Sequence, residues 1–227
     1  MSMMKRFYDL EKRRIGCSIK SYIWTWFGMI GNIFFSRRAP EVSIQNSKHL
    51  LNLGCGTRHL DGWVNADFYR LHNLIWNRKE LPDWMLDLTR PLKCNNNHWD
   101  GVLLEHTNEH LSYTHNLSLF KEVFRTLKPG GELRVIVPDL DRYLQWNEIR
   151  DQEPKMNRYY SLAEAVSNLT QNHLHIAVWN FDLLAEVLKE AGFSDVNRSE
   201  YGNTYLPEMN VDMESHKWES LYVEARK

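Results

Sequence analysis

From residue 48 onward, short apolar runs alternate with stretches of helical period. His49–Leu53, Trp63–Asp67, Trp84–Leu88 and Asp100–Glu105 each read as a strand, bounded by Gly, Pro or Asp. Leu117, Phe120, Val123, Phe124 and Leu127 recur at helical spacing. They predict a helix over 117–127, stopped by Lys128-Pro-Gly-Gly131 because Pro and Gly do not continue a helix. Glu132–Val137 reads as a strong strand. Phe181, Leu184, Ala185 and Leu188 predict a helix over 181–191 with Gly192 as its stop, and Glu219–Ala225 reads as a last strand. Strands alternating with helices predict an α/β fold, a mostly parallel sheet covered on both faces. No internal repeat is visible.

The stretch 139–175 is the least regular. Asp139–Trp146 and Tyr159–Leu169 carry a helical pattern, with a polar segment around Pro154 between them. Tyr143, Trp146, Tyr159 and Tyr160 read first as the core of this insertion, and otherwise as an aromatic wall over a substrate.

Charge divides the chain. Overall it carries 28 basic and 29 acidic residues, a net of −1. That balance gives no whole-molecule field for phosphate, and no nucleic-acid partner is expected. Residues 1–38 differ, with eight basic and two acidic side chains around the apolar, aromatic run 19–35. Lys20 and Asn32 within the run, and the lack of a small-residue cleavage site after it, argue against a signal peptide. Two readings stay open for the extension 1–46: a helix packed on the main domain as a lid, or a membrane-surface helix with Lys and Arg toward anionic lipid. A spanning helix is the third, because the run is short for a bilayer. The main domain is placed at 47–227. Cys17, Cys55 and Cys94 lack paired spacing, so neither a disulfide framework nor a thiolate metal site is expected, and the compartment reads as cytoplasmic.

In an open α/β sheet, ligands bind beyond the carboxyl ends of the strands. Four such ends carry useful groups: Gly54-Cys55-Gly56, Asp67, Asp87-Leu88 and Glu105-His106. His106 and His110 are four apart, and Asp139, His173 and His175 follow other elements. With no clear third ligand in this set, no metal is expected.

The motifs come in a telling order. Leu51-Asn-Leu-Gly-Cys-Gly-Thr57 precedes Gly62-Trp-Val-Asn-Ala-Asp67 and Asp87-Leu-Thr-Arg-Pro-Leu92. Then come Glu105-His-Thr-Asn-Glu-His-Leu111, Leu127-Lys-Pro-Gly-Gly131, Val137-Pro-Asp139, Ala191-Gly-Phe193 and Glu219–Lys227. Over residues 48–227 this resembles the class I S-adenosylmethionine-dependent methyltransferases, and within them the methyltransferase type 11-like group. The resemblance implies a Rossmann-like, doubly wound, seven-stranded, mostly parallel sheet, with S-adenosyl-L-methionine as cofactor. It departs at Arg58, where many members carry a third Gly; Arg58 either narrows the space by the cofactor or points toward the substrate or the cofactor carboxylate.

The resemblance implies roles that the chemistry supports. Gly54 and Gly56, with Cys55 between them, let the backbone turn close to the amino-acid part of the cofactor. Asp67 would accept from vicinal ribose hydroxyls, as acids do in dinucleotide folds. Asp87 and the Leu88 amide would meet the adenine, and Glu105 would orient on the cofactor side. Asp87 also reads as an ordinary turn residue. His106, whose ordinary pKa is near neutral, is the candidate base and His175 a candidate acceptor contact. The chain lacks the N/D-P-P-Y/F element of adenine N-methylation and a Pro-Cys nucleophile. The reading is methyl transfer to a small-molecule or glycan- or lipid-linked biosynthetic intermediate, with oxygen slightly favoured. The rivals are transfer or cyclisation of the aminocarboxypropyl arm, and a non-catalytic cofactor-binding subunit.

Overall fold

The computed structural model describes residues 38–41, 48–68 and 81–227. The expectations for residues 1–37 therefore lie outside the described residues, including the run 19–35. Seven strands form one sheet: β1 (Leu50–Leu53), β2 (Val64–Asp67), β3 (Trp84–Met85), β4 (Trp99–Glu105), β5 (Leu127–Pro138), β6 (Asp195–Ser199) and β7 (Ser220–Arg226). Their order across the sheet is β3-β2-β1-β4-β5-β7-β6. The first five run parallel, and β7 lies antiparallel between β5 and β6. The chain leaves β1 toward β2 on one side and returns to β4 on the other. The switch point therefore falls between the carboxyl ends of β1 and β4, where a parallel sheet opens a crevice.

The period-two alternation of the strands sorts side chains to two faces. Leu51, Leu53, Val102, Leu104, Val135, Val137 and Val223 face one way and are fully buried. Helices α1 (Tyr113–Thr126) and α5 (Phe181–Ala191) cover them with Leu119, Phe120, Val123, Leu184 and Leu188. Helix α1 starts earlier than the apolar spacing predicts, because Ser112 caps it by accepting from the His115 amide. Helix α5 matches its expected bounds, with Asn180 as N-cap and Gly192 at φ +118 closing the end. On the other face, Leu103, Ile136 and Tyr222 pack under Leu206, Met209 and Val211. Among the described residues the segment 200–213, with Leu60 and Trp63, covers that face, and Arg134 secures the segment.

Arg134 is fully buried on β5. Its Nε and Nη2 grip Asp212 (2.8 and 2.6 Å), Nη1 reaches Glu224 Oε1 (2.8 Å) and the Asn203 carbonyl (2.9 Å), and Nη2 also meets the Glu200 carbonyl (3.0 Å). All five guanidinium donors are thus used, which is what a buried arginine requires.

Between β5 and α5 the chain builds α2 (Leu140–Leu144), α3 (Trp146–Ile149) and α4 (Leu162–Gln171). Tyr143, Trp146 and Tyr159 are buried there with Met156, Leu169 and Trp218, so these three form the core of the insertion. Tyr160, grouped with them from the sequence, is 70% exposed. Two further differences have physical causes. Strand β3 stops at Met85 rather than Leu88, because the Asp87 carboxylate captures the Thr89 amide and hydroxyl and bends the chain. Strand β6 has no apolar alternation, since as an edge strand it faces solvent through much of its length. Among the described residues no helix is long and apolar enough to cross a membrane.

Candidate functional site

The β1 turn is built for a left-handed backbone. Gly54 (φ +74) and Gly56 (φ +57) both lie where side chains are strained. The Gly54 and Cys55 amides donate to the Ala66 carbonyl (2.7 and 3.1 Å), which ties this turn to β2. Gly54 also faces Thr107, from the loop after β4: an added Cβ would fall against Thr107 Oγ1 and lie 2.5 Å from its Cγ2. The turns after β1 and β4 therefore interlock at the switch point.

Asp67 ends β2 and reaches the same turn. Its Oδ2 accepts from the Gly56 amide (2.5 Å) and its Oδ1 from the Phe68 amide (2.5 Å). Gly54, Cys55, Gly56 and Asp67 are thus brought together. Among the described residues each carboxylate oxygen accepts one bond, and each carries a second acceptor position for a further donor.

Asp87 and Leu88 lie just past the carboxyl end of β3. Asp87 stands beyond the end of β3, where Oδ1 accepts from the Thr89 amide (2.9 Å) and hydroxyl (2.7 Å) and Oδ2 lies 3.4 Å from Arg90. This is the turn alternative. Leu88 packs partly buried against the main core.

Glu105 is buried and already engaged. Oε1 accepts from the Met213 amide (2.8 Å) and Oε2 pairs with Arg58, which also donates to the Val211 carbonyl. Burial pushes the Glu105 carboxyl up, against the pull of the Met213 amide and Arg58. Arg58 therefore ties the β1 turn to β4 and to the segment 211–213, instead of reaching outward to a substrate or cofactor carboxylate.

His106 follows at φ +49. Ser220 gives its hydroxyl proton to the His216 carbonyl (2.8 Å), so Ser220 Oγ accepts from His106 Nε2 (2.9 Å). Nδ1 lies 3.3 Å from Glu109 Oε1. Burial opposes charge on this ring, but the neighbouring Glu109, with Glu219 and Glu105 beyond it, prevails and raises its pKa. Nε2 is thus committed to Ser220, while Nδ1 stands within ion-pair range of Glu109 without a hydrogen bond. On the ring's other side His216 lies 4.2 Å away, held by Glu219, which also accepts from the Tyr143 hydroxyl (2.6 Å).

His175 arrives on the turn before α5, with Nε2 4.0 Å from Glu109 Oε1. Burial pushes its pKa down. The structure thus groups His106 and His175 around one carboxylate that sequence reasoning left without a role. The E-H-x-x-E-H spacing carried the signal: Glu109 lies three residues past His106 on the 3-10 turn Asn108–His110, which buried Asn116 of α1 pins by paired side-chain bonds. Thr107, Ser220, His216 and Glu219 were also missed, because their partners are distant in sequence. A cavity of about 1000 Å³ opens beside β6 and β7, lined by Asp139, Arg142, Lys155, Arg198, Trp218 and Ser220, the partner of His106; the Gly54 turn does not line it.

No family model matches the chain, and no curated protein matches it significantly. Solved structures do share its fold at low identity. A protein from Bordetella parapertussis is 16% identical, the match covering 79% of this chain and 62% of that one, at a TM-score of 0.51. S-adenosylmethionine-dependent methyltransferase SibL is 20% identical over 80% of this chain and 51% of its own, at 0.48, so this chain spans about half of SibL's length. A S-adenosylmethionine-dependent methyltransferase from Methanosarcina mazei is 13% identical over 83% of this chain and 94% of its own, at 0.50. By fold, the described residues form a Rossmann-like α/β sheet of the kind that solved methyltransferase carries.

Proposed function

We propose that this chain is an enzyme that transfers a methyl group from S-adenosylmethionine to a small-molecule or glycan- or lipid-linked biosynthetic intermediate. The observation that carries this reading is the Gly56 amide bound to Asp67 Oδ2 at the switch point. It presents a left-handed glycine turn beside a carboxylate with acceptor positions to spare, which suits the amino-acid part and the ribose diol of that cofactor. The low-identity fold likeness to the Methanosarcina mazei methyltransferase agrees with it.

Methyl transfer from a sulfonium is an in-line displacement, so the protein's main tasks are alignment and exclusion of water. An acceptor hydroxyl must also lose a proton. Glu109 strengthens His106 as a base and would stabilise the imidazolium formed, with His175 as the acceptor contact. This favours oxygen as the methylated atom, while the order of the sequence motifs over residues 48–227 is what supports the type 11-like group as the lineage. The basic, aromatic extension would serve either as a lid on the main domain or as a contact with an anionic membrane surface through residues 1–38.

Calorimetric titration with S-adenosylhomocysteine tests the donor site. The folded protein should bind at about micromolar Kd, and Asp67→Ala should weaken binding about tenfold or more. No binding by the folded wild type, or unchanged affinity in folded Asp67→Ala, would overturn the reading. Mass analysis of a modified acceptor separates a transferred methyl from an aminocarboxypropyl arm.

A further inference from the structure

We infer that Glu109, His110 and His175 form a binding site for a divalent first-row transition-metal ion. One Glu oxygen and one nitrogen from each His lie within 4.8 Å of one another. Glu109 Oε1 is 4.0 Å from His110 Nε2 and 4.0 Å from His175 Nε2. In a closed tetrahedral site with metal–nitrogen bonds near 2 Å, ligand atoms stand about 3.3 Å apart, so the three need only draw in slightly.

Glu109 is 1% exposed, and among the described residues neither of its oxygens has a hydrogen-bond partner. His106 Nδ1 comes within ion-pair range of Oε1, but not in hydrogen-bond geometry. A carboxylate held this way carries a large desolvation cost, which the neighbouring His106 ring offsets in part and a bound cation would offset further.

His175 gives the independent sign. A carbonyl can only accept, so the contact of Nδ1 with the Leu169 carbonyl (2.7 Å) places the proton on Nδ1. In the neutral ring that leaves the Nε2 lone pair facing a carboxylate oxygen, two electron-rich atoms turned on one another. A metal-bound histidine shows the same arrangement: one nitrogen tied to a carbonyl, the other ligating. The chain holds the two ligand segments together firmly. The Ile176 and Ala177 amides both donate to the Glu109 carbonyl (2.8 and 3.1 Å).

Two histidines and a carboxylate suit zinc or ferrous iron, and leave positions for water or an acceptor oxygen. His110 is 41% exposed at its side chain, which gives the ion a route in. The sequence offered no third ligand for its histidines; the structure supplies it in Glu109. The metal site does not depend on the methyl-donor reading, since binding of an ion is read without the cofactor.

The test is titration of the metal-stripped full chain with Co2+, followed by its visible absorption, and with Zn2+, followed by calorimetry and thermal unfolding. One equivalent should bind, with a raised Tm in Zn2+. Glu109→Gln, His175→Ala and His110→Ala should each weaken binding by more than the roughly 10–100-fold typical of losing a supporting partner. His115→Ala, an exposed histidine on α1, should leave binding unchanged. His110 is exposed, so its variant keeps the test decisive if the two buried variants fail to fold. No stoichiometric binding of either ion, or His110→Ala binding as wild type, overturns the proposal.

Discussion

The interlock of Gly54 with Thr107 can be measured as a coupling energy. Gly54→Ala meets two penalties. An alanine in the left-handed region costs about 1–2 kcal/mol. Its Cβ would also press on the Thr107 side chain, 2.5 Å from Cγ2 and 2.9 Å from Cβ, in a place where Thr107 is buried. Overpacking of that kind costs about 1–3 kcal/mol. The single variant should therefore lose about 2–5 kcal/mol, a large share of the stability of an ordinary domain. Thr107→Ala removes Oγ1 and Cγ2 but keeps Cβ. Alone it should cost about 1–2 kcal/mol, for one methyl and for the hydroxyl that lies near the Leu53, Gly54 and Glu105 carbonyls. In the double variant the steric part of the Gly54 penalty is largely relieved while the backbone part stays. The pair should then be about 1–3 kcal/mol more stable than the sum of the singles. Urea unfolding of the four proteins, with unchanged m values, gives the cycle directly. Additivity within about 0.5 kcal/mol would show that the two turns do not bear on each other, and the reasoning would fail.

Two further predictions concern the other face of the sheet. Arg134→Leu should destabilise by about 3–5 kcal/mol, because it strands Asp212 and Glu224 as buried carboxylates and frees the segment 200–213; a loss under about 1 kcal/mol in urea unfolding would refute this. Glu132, pushed up to about 7 first by burial and then by Glu224, sets a pH dependence. The folded state keeps a proton that the unfolded chain releases near its ordinary value of 4.5, so this contribution is present at low pH and is lost as pH rises through about 7. Glu132→Gln should therefore gain on the wild type by up to about 3 kcal/mol between about pH 5 and about pH 8, and a pH-independent difference would contradict the assignment.

Much of the fold is legible because the central strands are apolar on both faces and the helices carry one apolar stripe. Leu50–Leu53, Trp99–Glu105 and Phe181–Ala191 announce themselves in this way. β6 does not, since Asp195, Asn197 and Arg198 give no alternation to a strand that one neighbour alone pairs. Arg134 sits in a run that reads as plain strand, and its partner Asp212 lies 78 residues away, beyond any local pattern. The site divides in the same manner. The Gly54 turn and Asp67 are neighbours along β1 and β2 and were readable as strand ends. Glu109 was visible as a motif letter, but its meaning depends on the turn at 173–177 folding back onto its carbonyl. Asp87 shows the converse: local turn chemistry overrode the strand that apolar spacing suggested.

The antiparallel placement of β7 has a consequence for the order of assembly. Among the described residues β6 pairs only with β7, and β7 is also what seals β5. β6 therefore cannot join the sheet in chain order as the chain emerges during synthesis. A nascent chain that has reached Ser199 holds β6 with no mate and leaves the edge of β5 open, although Leu133, Val135 and Val137 will be fully buried once folding ends. Until residues 220–226 arrive, that edge is a template for any other extended segment nearby. The interval between β6 and β7 is thus a period in which this edge is exposed to wrong pairing and a chaperone would have it to cover.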